Sequence, residues 1–533
     1  MRTRAAAARC RMQKADLAFK WIFAVTSIHT NAYEYAFRDW GAGNVRNRLQ
    51  RGKERLTRMT AGLLAMQSLL FGLGAPVAAG ASAAAPTAAG LNVLGAPADT
   101  AVHPEAQRDR YATVKRSDGY NLVFPVMSDI HIGSGDKAET KFASALEQLN
   151  RLAPHYDAIA SVGDLTDHGK AEQYDTFMAI YNRYKQPAAR SLLTIGNHDY
   201  YGSSGAMKGQ RLFLEKTEMP GIYYDRWING YHFIVLGSEN KSTGGKLSDE
   251  QLKWLKEKLA EHASADKPIF VLFHQHISDT VYGSDRWGHT QNHKKLYAIL
   301  SKYPQVITFS GHSHYMLESP RTIHQRDFTS LGTSSIRYPE LEPGMVQGNH
   351  PSDDISQGYL VMVKDDRVIV KRRDFHRNDW TGEDWVIDYP ASKTAFRYTD
   401  DRDRINPSFE PSAQATVEPS SVHAARALLR FDQAKDNLFV HAYDIEVKRE
   451  GGQRNVLKLH AFSEFYKHPM PAELTVELNG LTPNTAYTAS VYAVDAFGNR
   501  SDKPLAAGFR TSALTPLQAS LRLKIRSWFK DGV

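Results

Sequence analysis

An α/β domain followed by an all-β domain is the organisation that this 533-residue chain predicts. Three observations predict it. From about Leu122, short apolar runs alternate with segments of helical periodicity. Several of those runs end in a cluster of Asp, His, Asn and Gly. Beyond about Ser408, helical periodicity gives way to short alternating segments separated by turn residues.

The elements follow in order. Leu122–Met127 reads as a strand running into Ser128-Asp129-Ile130-His131. Phe142, Ala145, Leu146, Leu149 and Leu152 recur at helical spacing. Ile159–Val162 is a strand ending in Gly163-Asp164, Ala171–Tyr184 a helix, and Ser191–Ile195 a strand ending in Gly196-Asn197-His198-Asp199. After the strand Tyr231–Leu236, Ser248 with Gln251 three residues on predicts a capping box opening a helix, with Leu252, Leu255 and Leu259 on its apolar face. Ile269–Phe273 runs into His274-Gln275-His276, and Val306–Phe309 into Gly311-His312-Ser313-His314. Tyr359–Val363 and Val368–Lys371 form a closing hairpin. Ligands of open α/β sheets bind beyond the C-terminal ends of strands, so the five clusters are expected to meet on one edge.

The N-terminal region has a different character. A basic stretch from Arg46 to Arg58, an apolar stretch from Ala61 to Gly74 and a run of small residues from Ala75 to Ala83 follow the order of a secretory signal peptide. Cleavage is expected near Ala81 or Ala83, and the apolar stretch is too short to span a bilayer comfortably. The expected location is therefore extracellular or in the cell envelope, with no stable transmembrane span after cleavage. Residues 1–83 form the N-terminal extension and leader, and the Ala-, Pro- and Gly-rich residues 84–115 a linker. The leader holds 13 Lys or Arg against 4 Asp or Glu; the whole chain is +8, so the remainder is −1. The basic balance belongs to the leader and gives no nucleic-acid-binding signal. The single cysteine, Cys10, also lies there. Any metal held by the rest of the chain must be bound by His, Asp, Glu or Asn.

The clusters supply those groups. Asp129 and His131 are two apart, and in an extended chain such residues point to one side and can grip one ion. Gly163 allows a tight turn that aims Asp164. Asn197 offers a carbonyl oxygen, and His274, His312 and His314 offer imidazoles. A single His or Asp at a strand end is more often a turn or capping group than a ligand, but seven donors in this order outweigh that reading. His276 reads equally as a residue that contacts substrate or supports the ligands and as an ordinary structural histidine; Asp167 and His168 are candidates for the pocket lining; Trp380, Trp385 and Tyr389 read as core or lid packing ahead of a stacking wall.

Together, Asp129-x-His131, Gly163-Asp164, Gly196-Asn197-His198-Asp199, His274 and Gly311-His312-x-His314 resemble the signature of the calcineurin-like metallophosphoesterases. The resemblance implies an α/β/β/α sandwich over residues 116–400 and a centre of two divalent or transition ions. Mn, Fe, Zn, Co and Ni all suit this donor set. It implies Asp129, His131, Asp164 and His314 around the first ion, and Asp164, Asn197, His274 and His312 around the second, with Asp164 as bridge. His198 resembles the catalytic histidine, which binds no metal, and Asp199 is expected to orient its ring. The implied activity is hydrolysis of small phosphate diesters or monoesters, such as nucleotides or cyclic nucleotides, by a hydroxide shared between the ions.

Residues 409–513 resemble a fibronectin type III domain, most clearly from Gly480 to Ser501, with Tyr487 as the tyrosine-corner residue, Phe431 at the usual core Trp position and Tyr443 as a strand aromatic. Residues 514–533 form a tail, with Leu521–Lys530 a short basic amphipathic segment. Such a domain could contact a cell-wall or other polymer. An alternative reading is a surface-binding or adhesion protein in which the metal domain serves as a scaffold. Purple acid phosphatases of the same superfamily carry a Tyr ligand shortly after Gly-Asp, whereas here Leu165-Thr166-Asp167-His168 follows. Aerobically purified protein is accordingly expected to show no visible tyrosinate-to-ferric absorption band.

Overall fold

A computed structural model of the chain describes residues 113–341 and 354–516, with residue 520. The leader, nearly all of the linker and Leu521–Lys530 lie outside the described residues.

The first domain runs β1 (Leu122–Met127), α1 (Lys137–Leu152), β2 (Ala158–Val162), α2 (Ala171–Tyr184), β3 (Arg190–Thr194), α3 (Ala206–Thr217), β4 (Tyr224–Ile228), β5 (Tyr231–Val235), α4 (Asp249–Ala260), β6 (Ile269–Leu272), α5 (His293–Leu300), β7 (Val306–Ser310), β8 (Ile323–Gln325), β9 (Thr329–Gly332), β10 (Gln357–Lys364), β11 (Arg367–Asp374), β12 (Asp379–Trp380) and β13 (Trp385–Asp388). One sheet has the order β12-β11-β10-β1-β2-β3, with β13 also on β11; the other has the order β4-β5-β6-β7-β9-β8. β1, β2 and β3 are parallel, as are β5, β6, β7 and β9.

Burial on both faces explains the near-continuous apolar strands. Phe124 of β1 is fully buried and meets Phe233, Phe270 and Phe309 of the other sheet edge-on, with ring centroids 5.0, 4.9 and 6.1 Å away. On the outer face of the first sheet, α1 and α2 bury Phe142, Leu146, Leu149, Tyr174 and Phe177. On the outer face of the second, α4 and α5 bury Leu252, Leu255, Leu259, Leu296 and Leu300. The layers are α/β/β/α, as expected from the sequence.

One detail differs from the expectation. Ser248 caps α4 by accepting from Gln251 N (3.1 Å), but Gln251 does not complete a capping box. Its side chain instead clasps the backbone of Gly237, accepting from N and donating to O. Other details agree with the expectation: Trp385 and Tyr389 pack into the core between the sheets and Trp380 packs beside the helical layer under the guanidinium of Arg373, the packing role and not a stacking wall.

The C-terminal region is an all-β sandwich. Its strands are β14 (Ala415–Val417), β15 (Arg426–Asp432), β16 (Val440–Arg449), β17 (Asn455–Phe462), β18 (Glu473–Asn479), β19 (Ala486–Asp495) and β20 (Leu505–Arg510). They form two sheets, β14-β15-β18 and β17-β16-β19-β20. Leu429, Phe431, Tyr443, Ile445, Tyr487 and Val491 fill the space between them. Among the described residues, no helix is long and apolar enough to cross a membrane.

Replacing Phe124 with Ala removes the ring shared by three aromatic contacts of the inter-sheet core. Denaturant titration should show a loss of about 3–5 kcal/mol.

Candidate metal centre

The strands end where the polar clusters begin, and both sheets contribute. β1, β2 and β3 of the first sheet lead to Asp129 and His131, to Asp164, and to Asn197 and His198. β6 and β7 of the second lead to His274, and to His312 and His314.

The backbone there is not extended. Asp129, His131, Asp164, His312 and His314 all have positive φ, between 49° and 71°. The expectation that Asp129 and His131 share one side of an extended chain is therefore corrected: both lie on a left-handed turn that brings them together. This conformation is unusual outside glycine and clusters at functional sites.

Backbone donors from other loops hold the turns. Ile130 N and His131 N donate to Asp164 O, Arg337 N donates to Asp129 O, and Ser335 Oγ donates to the same oxygen. The carboxylates also receive amides: His312 N donates to Asp129 Oδ2 (3.0 Å), and His198 N to Asp164 Oδ1 (2.8 Å).

Three overlapping groups of donors form, the third being His131, Asp164 and His198, which joins the other two. In the first, Asp129 Oδ1 lies 2.9 Å from His314 Nε2 and 3.9 Å from His131 Nε2, and the two imidazole nitrogens are 3.4 Å apart. In the second, Asp164 Oδ2 lies 3.1 Å from His274 Nε2, with His312 completing the group. Within each group the donor atoms lie within 4.8 Å of one another. Asp164 also reaches toward the first group, with Oδ2 3.9 Å from His131 Nε2. Asn197 is buried beside them; its Oδ1 accepts from Gln275 Nε2 (3.2 Å) and its Nδ2 donates to Tyr201 Oη (2.8 Å). A carbonyl oxygen has two lone pairs, so that contact leaves one for an ion.

The donor set fits a pair of divalent ions. His274 Nδ1 donates to Val162 O (2.8 Å) and His314 Nδ1 to Tyr338 O (2.9 Å), which turns each Nε2 lone pair inward. The buried Nε2 of His312 has no hydrogen-bond partner, and that of His274 faces the Asp164 carboxylate.

The electrostatics point the same way. Burial alone would raise the Asp129 carboxyl, but His314 and His274 outweigh it and hold it at about 2. Asp164 is held well below the usual carboxylate range; burial opposes this, and His274 and His198 prevail. Conversely, Asp164 and Asp129 overcome burial to lift His274 to about 9, and Asp129 lifts His314 in the same way. Burial lowers His131 and His312. Without cations the carboxylates favour the protonated form of His274, and ion binding must displace that proton.

His198 lies at the rim, with a quarter of its side chain exposed and its ring edge-on to His131 at 4.5 Å. Its Nδ1 donates to Asp167 O (2.9 Å) and lies 3.6 Å from Asp167 Oδ1. Asp167 also lies 3.4 Å from His131 Nδ1 and 2.8 Å from His168 Nδ1. The expectation that Asp199 orients His198 is thus corrected. The Asp199 carboxylate is turned inward, where it accepts from Gly196 N (2.9 Å), Thr166 N (3.0 Å) and Thr166 Oγ1 (2.8 Å). It straps the loop after β2 to the loop after β3, and Asp167 holds the ring.

His276 proves to be a positioning residue. It is buried, and its Nε2 donates to Trp287 O (2.6 Å), fixing a loop whose indole stacks on His312 at 4.7 Å and 8°. Trp287 was not found by sequence reading, nor was Tyr338, which stacks on His131 at 5.1 Å, nor Tyr201, whose ring lies 4.4 Å from His198. Tyr201 follows Asn197 by four residues and was within reach of motif reading; Trp287 and Tyr338 carry no local signal.

Residues 123–316 match the family model described as calcineurin-like phosphoesterase. A 3′,5′-cyclic-nucleotide phosphodiesterase of Nostoc sp. is 26% identical over 240 residues, covering 41% of this chain and 84% of the relative. A cAMP/cGMP dual specificity phosphodiesterase of Mycobacterium tuberculosis is 31% identical over 198 residues, covering 36% of this chain and 60% of the relative. A glycerophosphodiester phosphodiesterase of Enterobacter lignolyticus is 25% identical over 222 residues, covering 38% and 74%.

Gly163 has φ +93°, and a Cβ there would lie 2.3 Å from His274 Nδ1. Gly163→Ala is expected to keep the far-ultraviolet circular dichroism of the parent and to lose bound metal, read as metal per chain by elemental analysis after dialysis.

Proposed function

We propose that this chain, whose residues 123–316 carry the calcineurin-like phosphoesterase domain and with it the chemistry of a metal-dependent phosphoric ester hydrolase, acts on small phosphodiesters of the cyclic-nucleotide or glycerophosphodiester class. One observation carries the reading: two donor groups, each drawing ligands from both sheets, lie side by side with Asp164 between them. The names of the relatives, all phosphodiesterases, favour diesters over monoesters.

The first ion would be held by Asp129, His131, Asp164 and His314, and the second by Asp164, Asn197, His274 and His312. Mn, Fe, Zn, Co and Ni are the candidates. When bound, such a pair lowers the pKa of a shared water and offsets charge on phosphate oxygens. The chain's own residues do the rest. Asp167 fixes the His198 tautomer with the proton on Nδ1, leaving Nε2 to hydrogen-bond the phosphate or, when protonated, to pass a proton to the leaving oxygen. Burial and the carboxylates of Asp164 and Asp167 act oppositely on His198; the carboxylates prevail and raise it to about 9, so the imidazolium is the form they favour. The half-buried Tyr338 and Trp287, each stacked on a ligand histidine, fix the ring planes.

The domain limits proposed are 116–400 for the hydrolase and 409–513 for a fibronectin type III-like module. Support for that module is the Tyr487 hydroxyl, which accepts from Thr482 N (2.9 Å) as a tyrosine corner does, and the packing of Phe431 against Tyr443. The signal-like leader supports export, with the module as a spacer or polymer contact. A scaffold without turnover is disfavoured because every expected ligand type is retained.

Turnover of bis-p-nitrophenyl phosphate and p-nitrophenyl phosphate with added manganese tests the proposal. The diester is expected to turn over faster, chelation to abolish both activities, and metal-loaded His198→Ala to lose about 10²–10⁴-fold in kcat. Chelator-resistant hydrolysis, or an undiminished metal-loaded His198→Ala, refutes the mechanism.

A further inference from the structure

Away from the hydrolase centre, three carboxylates converge where the segment leaving the first domain meets the sandwich. Asp403 lies in the connection before β14, Asp436 in the β15–β16 loop, and Asp495 at the end of β19. One oxygen from each lies within 4.8 Å of the other two. Asp403 and Asp495 are buried, 4% and 2% exposed, and Asp436 is half-buried.

Acidic residues often gather without an ion, but here two oxygens are stranded. Asp403 Oδ1 accepts from Ile405 N (3.0 Å) and Asn437 Nδ2 (3.3 Å), and Asp436 Oδ2 accepts from Leu438 N (2.9 Å) and Phe439 N (2.7 Å). The second oxygen of each, Asp403 Oδ2 and Asp436 Oδ1, is buried without a hydrogen-bond partner. Asp495 is better satisfied, accepting from Phe497 N, Asn499 N and Asn499 Nδ2 at 2.8, 2.8 and 2.6 Å.

The basic residues nearest in sequence make their hydrogen bonds elsewhere, although the Arg402 charge also interacts with Asp403. Arg402 donates to the carbonyls of Ile323 and Pro320, and Arg404 pairs with Asp401 (2.7 Å). Lys435 pairs with Glu410 (2.6 Å), and Arg500 with Glu446 (3.1 Å). Burying carboxylates against one another without a cation is unfavourable. Burial, and then the neighbouring Asp403 charge, act to raise the Asp495 carboxyl, and they outweigh its hydrogen bonds.

We propose that Asp403, Asp436 and Asp495 form a structural site for a hard divalent cation of the calcium class, which locks the inter-domain segment onto two loops at one end of the sandwich. The donor set is all oxygen, with neither His nor Cys, which suits calcium and contrasts with the imidazole-rich hydrolase centre. Asn437 and Asn499 hold the frame by bonding Asp403 at Oδ1 and at the backbone oxygen, respectively. The cation would satisfy the two stranded oxygens and offset most of the gathered charge.

Calcium titration of the full chain, cleared of calcium with EGTA and resupplied with stoichiometric manganese, tests this. Calorimetry is expected to show one calcium site per chain, and Tm to rise by several degrees. Asp436→Asn keeps the shape and removes one charge. It should weaken calcium binding by about tenfold or more and lose most of the rise in Tm, while turnover of the diester with manganese stays at the parental level. No calcium-dependent change in the parent, or an equal rise in Asp436→Asn, overturns the proposal. Should that variant fail to fold, anomalous diffraction from calcium-soaked crystals of the parent decides: a peak among the three carboxylates supports the site, and its absence overturns it.

Discussion

Two carboxylates buried beside each other dominate this structure. Asp129 and Asp164 are 0% and 1% exposed. A buried carboxylate that is neither paired nor hydrogen-bonded is strongly unfavourable. Much of the surrounding architecture compensates that charge. His312 N and His198 N donate to the carboxylates, and four imidazoles stand around them. Left-handed backbone at a non-glycine residue costs about 1–2 kcal/mol, and five residues of the centre adopt it. They keep it because the loops are cross-bonded: Asp164 O accepts from the Ile130 and His131 amides, and Asp129 O from the Arg337 amide and the Ser335 hydroxyl.

The same charge ties the centre to the core. Each donor group joins the two sheets: Asp129 and His131 of the first with His314 of the second, and Asp164 of the first with His274 and His312 of the second. The separation between donors is therefore set by how the two sheets pack. That packing is carried by Phe124 against Phe233, Phe270 and Phe309. Side chains far from any phosphate thus decide whether the donors are close enough to share ions, and the inter-sheet core is part of the functional apparatus in a way that the outer helices are not.

Much of this was legible in the sequence. Apolar runs that stop at Asp-x-His, Gly-Asp, Gly-Asn-His-Asp and Gly-His-x-His announce strands ending at one edge, and Ala171–Tyr184 is a helix with those bounds. What escaped depends on conformation or distance. Asp199 adjoins His198 in sequence, and adjacency alone points to it as the partner. Both lie in the short 3₁₀ turn His198–Tyr200, where successive side chains diverge. Asp167, thirty-one residues earlier, takes the role because the loop after β2 folds back over the ring. α3 and α5 were missed because each buries few apolar residues, Phe213 in one and Leu296 and Leu300 in the other. Trp287 and Tyr338 reach His312 and His131 only through tertiary folding.

The sandwich is not a detached appendage of the hydrolase. Met316, two residues past His314, packs with Leu341 and Ile355 against Phe465 and Tyr466 of the sandwich. Tyr282 lies against Tyr315, the residue after His314, and its hydroxyl lies 3.1 Å from His441 Nε2. Burial keeps His441 well below the usual imidazole range, at about 3, so it remains neutral and Nε2 can accept from the tyrosine. The sandwich therefore supports the outer side of the segment that carries His314. A residue on a left-handed turn needs such backing, because its own backbone preference works against the position. On this argument the sandwich holds the His314 loop in place from behind, whatever else its exposed faces contact.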